Sequence, residues 1–177
     1  MLLNLIPILV GLLLLTAWLR PKGRKELRAY SLFFVLLTAV GRPCVIPTGS
    51  MEPTIHSWDW VVLSHAHAHL SLERGDVICF PGPEGKPYCK RLIGMGGDTL
   101  EMKSGKLWIN GTPARDDWAV ANDESWGPIQ VAPGRLFVMG DNRPNSHDSR
   151  YWGTIPREFV TGRALGIGFP PHHWRKL

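Results

Sequence analysis

Ser50 and Lys90 are the two residues of this chain whose chemistry combines most readily. Ser50 opens the run Ser50-Met51-Glu52-Pro53-Thr54, and Lys90 lies in Tyr88-Cys89-Lys90-Arg91. A serine hydroxyl is a poor nucleophile until a base takes its proton. Histidine usually does so, but a lysine serves if burial keeps its amine neutral. The pair points to acyl transfer through a serine ester, with an amine as proton acceptor. Gly49 removes bulk beside the hydroxyl, and Pro53 fixes the turn that follows. Lys90 shares a strand face with Tyr88 and Leu92, which could supply the apolar surroundings a neutral amine needs. Taken singly, each segment also fits a bland role. Proline-containing turns after serine are common, and strand lysines usually face solvent.

The elements that must hold these groups read as β structure. Trp60-Val61-Val62-Leu63, Asp76 to Phe80 and Tyr88 to Ile93 are short β-prone runs. Thr99 to Met102 and Lys106 to Ile109 flank Ser104-Gly105 as a hairpin, and Asn110-Gly111 is a strong turn signal. Arg135 to Met139 and Arg163 to Phe169 add two more strands. Glycine and proline punctuate the chain, and no long amphipathic helical period appears. The pattern predicts a mostly β fold, a compact antiparallel barrel or sandwich, over residues 45–177. Residues 116–133 lack periodicity and read as an irregular excursion.

The first 44 residues read differently, as a membrane anchor. Residues 2–19 are almost continuously apolar, relieved by Asn4, Pro7 and Thr16. At a rise of about 1.5 Å per residue such a helix nearly spans a hydrocarbon core of roughly 30 Å. A cleaved secretory signal fits less well, because no basic residue precedes the run and no small-x-small site ends it. Residues 20–28 carry five basic residues against one acid, which predicts a cytoplasmic loop. A second apolar run follows at 29–40 and gives a second expected helix over about 29–44, with Arg42 snorkelling to the outer interface. A buried or interfacial helix is the competing reading of that shorter run. Two spans would leave residues 45–177 outside the cytoplasm. The net charge of +5 is partly this loop, so it argues for topology rather than for nucleic-acid binding.

Cys44, Cys79 and Cys89 are too few for a disulfide framework and lack metal-site spacing. Cys79 and Cys89 fall opposite each other if their hairpin turns near Pro83-Glu84. A bridge in an oxidising compartment and two small buried thiols both remain open. His65, His67 and His69 alternate along one strand face, but no acid or cysteine completes a metal set, so they read as a solvated edge. His172-His173 has the same status. Neither a metal nor a cofactor is expected. Trp58, Trp60 and Trp174 lie near polar or basic stretches, which suits a headgroup interface and makes membrane lipid an expected partner.

Four segments, in order, resemble the boxes of type I signal peptidase, also called leader peptidase. They are Thr48 to Thr54, Arg74-Gly75-Asp76-Val77-Ile78-Cys79-Phe80, Lys90 to Asp98, and Gly140-Asp141-Asn142-Arg143-Pro144-Asn145-Ser146-His147-Asp148-Ser149-Arg150-Tyr151-Trp152-Gly153. The resemblance covers essentially the whole of residues 45–177 and includes the two-span anchor. It implies an enzyme that cuts amino-terminal signal peptides from exported preproteins at the outer face of a bacterial plasma membrane. A specialised processing protease of a conjugation, pilus or secretion system is the alternative. A catalytically silent scaffold is a third reading, opposed by the presence of both Ser50 and Lys90.

The resemblance also implies roles. Ser50 would attack the scissile carbonyl, and Lys90 would accept its proton. The Ser50 N–H and the Thr48 hydroxyl would form the oxyanion hole, where the family often has serine in place of threonine. Ser146 would orient the Lys90 amine, and an Asp148–Arg150 ion pair would hold the last box beside the site. Ile46, Met51, Phe80, Tyr88 and Cys89, with Cys79 nearby, would line shallow pockets for small substrate residues. Two cysteines depart from the usual aliphatic residues of that wall. A Cys79–Cys89 disulfide stiffening the pocket floor is the corresponding expectation.

Overall fold

The computed structural model describes residues 41–64, 71–82 and 87–177. Residues 1–40 of the membrane anchor expected over 1–44, His65, His67 and His69, and the hairpin tip at Pro83-Glu84 lie outside the described residues. Among the described residues no helix is long and apolar enough to cross a membrane.

Twelve strands form two antiparallel sheets among the described residues. They are β1 (Arg42–Val45), β2 (Trp60–Leu63), β3 (Val77–Pro81), β4 (Pro87–Met95), β5 (Thr99–Lys103), β6 (Lys106–Ile109), β7 (Thr112–Pro113), β8 (Trp126–Gln130), β9 (Arg135–Met139), β10 (Ile155–Pro156), β11 (Gly162–Phe169) and β12 (Arg175–Lys176). The larger sheet runs β1-β2-β11-β3-β4-β9-β10, with β12 on β11, and the smaller runs β7-β6-β5-β8. The larger sheet ends on β1 and β10, which do not pair, so the expected barrel alternative is not realised. The fold is mostly β and antiparallel, as the punctuated short runs require.

The expected strands appear with small shifts of boundary. Ser104 and Gly105 make the β5–β6 hairpin, and Asn110-Gly111 makes the β6–β7 turn with positive φ at both residues, 53° and 76°. Asparagine and glycine are the pair that tolerates that conformation. Two elements differ from expectation. Arg42–Val45 is a strand on β2, so the β sheet begins three residues before Val45, residues 42–44 are not part of the helix expected over about 29–44, and Arg42 donates to Thr161 O instead of snorkelling to an interface. Trp126–Gln130 is an edge strand on β5 within the stretch expected to be irregular. Its Gly127-Pro128 and its mostly exposed residues hide any period-2 signal, and an edge position is where a strand tolerates proline.

Three apolar clusters pack these sheets. One joins Cys44, Ile46, Met51, Ile55, Val61 and Cys79 among others, and a second lies around Ile78, Phe80, Leu92 and Val138. The third lies between the sheets around Ile93, Leu100, Met102 and Phe137. The alternation along β3 is visible here: Val77 and Cys79 face the first cluster, while Ile78 and Phe80 face the second.

Cys79 and Cys89 are cross-strand partners and are joined by a disulfide, with Cα atoms 4.1 Å apart. The Cys79 carbonyl accepts from Thr161 of the segment leading into β11. Cys79 therefore turns its backbone groups away from β4, which leaves the closely spaced, non-hydrogen-bonded type of pair with Cys89. Of the two readings open from sequence, the structure takes the bridge. Thiol titration of the denatured, unreduced protein should count one thiol, that of Cys44. A count of three would remove the bridge.

Candidate active site

Ser50 occupies a 3₁₀ turn, Gly49–Met51, that is pinned from both sides. From below, Met51 and Ile55 are wholly buried in the first apolar cluster. From the other side, Asn142 donates its backbone N–H to Ser50 O at 3.1 Å and its Nδ2 to Gly49 O at 3.1 Å. Gly140 makes this approach feasible. A Cβ there would fall 2.4 Å from Ser50 O and 2.2 Å from Ser146 Oγ, distances that no side chain can occupy. Any larger residue would push the nucleophile turn away from the last box.

Lys90 enters from β4, where it pairs with Ile78 across to β3. Its residue is 1% exposed. Nζ lies 2.7 Å from Ser50 Oγ and 3.0 Å from Ser146 Oγ, with the Tyr88 ring centroid 5.8 Å away. A proton inventory orders these contacts. The Ser146 hydroxyl donates to Asp148 Oδ2 at 2.7 Å, so toward Lys90 it can only accept. A neutral Lys90 has two N–H groups and one lone pair, so it can donate to Ser146 and still hold a lone pair able to take the Ser50 proton.

Burial is the main cause that lowers the Lys90 pKa from 10.5 to about 8. The Asp148 and Asp141 carboxylates oppose that shift, and the Arg150 guanidinium reinforces it. The amine is thus neutral in a substantial fraction of molecules at mildly alkaline pH, whereas a solvated lysine would be almost wholly charged.

Asp148 is fully buried and carries the support of the site. It accepts from the Gly140 N–H, from Ser146 and from Arg150, and it caps the short helix α1 (Ser149–Trp152). Burial by itself would raise its pKa, but these hydrogen bonds and the Arg150 charge outweigh burial and hold it below the usual carboxylate range. Arg150 also reaches Glu124, with Nη1 2.6 and 2.7 Å from the two carboxylate oxygens.

Sequence reasoning assigned no role to several of these groups. Asn142 and Gly140 sit inside a recognised box, but their tasks are matters of tertiary contact. Arg91 points to the opposite strand face from Lys90, bonds Asp141 through Nε at 2.8 Å and Gly75 O at 2.6 Å, and stacks on Trp118 at 4.5 Å. Buried Arg143 pairs with Asp116. Glu124 and Asp116 come from the stretch that lacked any periodic signal.

An open cleft of about 460 Å³ lies over the pair, lined by Thr48, Gly49, Ser50, Tyr88 and Lys90 on one side and by the segment from Pro144 to His147 with Tyr151 on the other. Thr48 Oγ1 is 3.3 Å from Ser50 Oγ. Of the six expected wall residues, Tyr88 lines the cleft. Ile46, Met51, Cys79 and Cys89 are buried in the first apolar cluster, and Phe80 is buried in the second. Ser50, Lys90, Ser146, Asp148 and Arg150 are brought together as one connected network.

A hydroxyl and a desolvated amine at 2.7 Å on an antiparallel β domain define the class of arrangement that can run acyl transfer. Comparison with known proteins agrees with it. The family model for signal peptidase, peptidase S26, matches residues 25–168. The chain is 34% identical to the probable signal peptidase I-1 of Synechocystis over 84% of this chain and 82% of that one. It is 32% identical to a signal peptidase I of Bacillus amyloliquefaciens over 87% of each. A crystal structure of a signal peptidase I from Enterococcus faecalis is 34% identical, with a TM-score of 0.48, covering 54% of this chain and 98% of that one. The chain belongs to the signal peptidase family, peptidase S26.

The buried amine carries a stability cost that can be measured. The folded-state pKa of Lys90 lies below 10.5, so between about pH 8 and 10.5 the unfolded chain binds more protons and stability rises with pH. Lys90→Met, which keeps the apolar stem and removes the charge, should stabilise the fold at pH 7 by about 2–4 kcal/mol. Denaturant titration of parent and variant at pH 7 and pH 10 checks this. A gain of the same size at both pH values would show that desolvation of the charge is not its source.

Proposed function

We propose that this chain is a signal peptidase I, a serine endopeptidase that removes amino-terminal signal peptides from preproteins. The observation that carries the reading is the 2.7 Å contact between a buried lysine amine and the Ser50 hydroxyl, with the second hydroxyl partner, Ser146, committed to Asp148. Membership of the family and the names of relatives matched over more than four-fifths of the chain support it. A protease dedicated to one secretion, conjugation or pilus system is the less favoured alternative.

In this reading Ser50 Oγ attacks the scissile carbonyl carbon as its proton passes to the Lys90 lone pair. The negative charge that develops on the carbonyl oxygen is met by the Ser50 N–H and the Thr48 hydroxyl. Collapse breaks the peptide C–N bond. The amine leaves with the proton from Lys90, and Ser50 keeps the acyl group as an ester. A water then attacks the ester, giving its proton to the same amine, and Ser50 regains a proton as the signal peptide leaves. Ser146 holds the amine's orientation through the cycle, while Asp148 and Arg150 fix Ser146 and the box that bears it.

The substrate lies extended along the cleft, with small residues before the cut. Tyr88 forms part of the wall, and the buried layer of Ile46, Met51, Cys79 and Cys89 limits how far that wall can yield. Phe80 supports Tyr88 from the other cluster, with ring centroids 6.4 Å apart. The apolar segments over residues 2–19 and 29–40 tether the domain to the plasma membrane and hold it on the extracytoplasmic side, where preproteins emerge. Membrane lipid is a partner of that anchor, and no nucleic acid is involved.

The purified full-length chain should cut a reporter preprotein at one site, mapped by mass spectrometry after a small residue. Ser50→Ala and Lys90→Ala should each lower the rate by at least about 1,000-fold. Two variants that cleave like the parent would overturn the assignment. The parent's rate should climb through about pH 8 as the amine loses its proton, since only the neutral form accepts one from Ser50. A flat profile from pH 6 to 10 would speak against Lys90 as the base.

A further inference from the structure

Away from the cleft, a buried carboxylate stands between two imidazoles. Asp59 is 1% exposed. Its Oδ1 is 2.6 Å from His173 Nδ1, and its Oδ2 is 3.9 Å from His56 Nδ1. The potential ligand atoms of His56, Asp59 and His173 all lie within 4.8 Å of one another. The two imidazole rings stack with centroids 4.7 Å apart, and His172 lies against His173 at 4.4 Å.

We propose that His56, Asp59 and His173 form a binding site for one divalent transition-metal ion of the zinc class. A buried carboxylate requires a positive partner. Among the described residues, the ion partners of Asp59 are the two histidines, not a lysine or an arginine. Two neutral imidazoles and one carboxylate are a nitrogen-and-oxygen donor set suited to zinc. In a tetrahedral site with bonds of about 2.0–2.1 Å, ligand atoms sit about 3.3 Å apart, so closing this one needs only small side-chain rotations. The carboxylate is already aimed, because Oδ2 accepts the His56 backbone N–H at 2.9 Å. Binding through His173 Nδ1 requires a neutral ring with its proton on Nε2, and it replaces the hydrogen bond to Asp59 with a shared metal. The His56 and His173 side chains are 46% and 28% exposed, which leaves an open side for a water as fourth ligand.

The position gives such an ion a mechanical role. His56 and Asp59 belong to the turn that follows the nucleophile, and His173 belongs to the C-terminal segment. Arg175 of that segment already donates to Pro53 O and Thr54 O. A metal at His56, Asp59 and His173 would add a second tie between the same two pieces of chain.

The test uses untagged, full-length protein in detergent, stripped with EDTA and carrying His65→Gln, His67→Gln and His69→Gln to remove the other histidine run. Titration with Co²⁺ should give visible d–d absorption that saturates at one equivalent and is displaced by Zn²⁺. His173→Gln and His56→Gln, made separately, should each weaken binding by more than about 100-fold, beyond the loss typical of an outer-shell partner. Measured against its own value in EDTA, the unfolding midpoint should rise with Zn²⁺ for the parent and stay unchanged for His173→Gln. Absence of the band, or a band that both variants keep, would overturn the site in favour of a simple proton-bridged His173–Asp59 pair.

Discussion

The fold is arranged around the exclusion of water from one amine. Lys90 has two hydroxyl neighbours, an apolar strand environment and almost no exposure, and each condition has a structural cause. Strand β4 lies inside the larger sheet, flanked by β3 and β9, so neither of its edges is open to solvent. The nucleophile turn closes the site from one direction and the segment from Gly140 to Arg150 closes it from another. Removing either lid would restore water around the amine, and with it the full positive charge that silences a lysine as a base.

The network behind the amine is ordered by proton counting more than by attraction. Asp148 fixes where the Ser146 hydrogen points, so Ser146 can only accept from Lys90. The same carboxylate works against the low pKa that burial confers, and Arg150 restores part of the balance. The result is an amine poised near neutrality rather than one permanently uncharged. Glu124 enters this balance from outside the recognised boxes, by occupying a guanidinium edge that would otherwise be unmatched in a protein interior.

Much of this was legible in the chain. The β-prone runs gave the strands because alternation and turn residues agreed, as at Lys106–Ile109 and Asn110-Gly111. The Ser50–Lys90 pairing and the tasks expected of Ser146, Asp148 and Arg150 followed from ordered boxes, and these side chains do meet. What stayed hidden depends on contacts between distant segments. Nothing local marks Asn142 as the clamp on Gly49 and Ser50, or Glu124 as the partner of Arg150. Strand β8 was masked by its own glycine and proline. The wall of the cleft was the least legible part, since alternation sends Cys79 and Phe80 to opposite faces although both neighbour the same hairpin.

The segment between β7 and β8 of the second sheet meets the network around Lys90 through two cords, Glu124 to Arg150 and Asp116 to Arg143. The sheet's β6–β7 turn is different: the Cβ direction at Gly111 opens into empty space. Extra chain inserted at that tip would extend outward and leave the amine untouched. Between residues 116 and 124 the chain is held at three points, by these two pairs and by the Val120 N–H on Asp141 O, so added length there has to loop out between anchored residues. Room for enlargement therefore lies at the Gly111 end of the small sheet rather than along the anchored 116–124 segment.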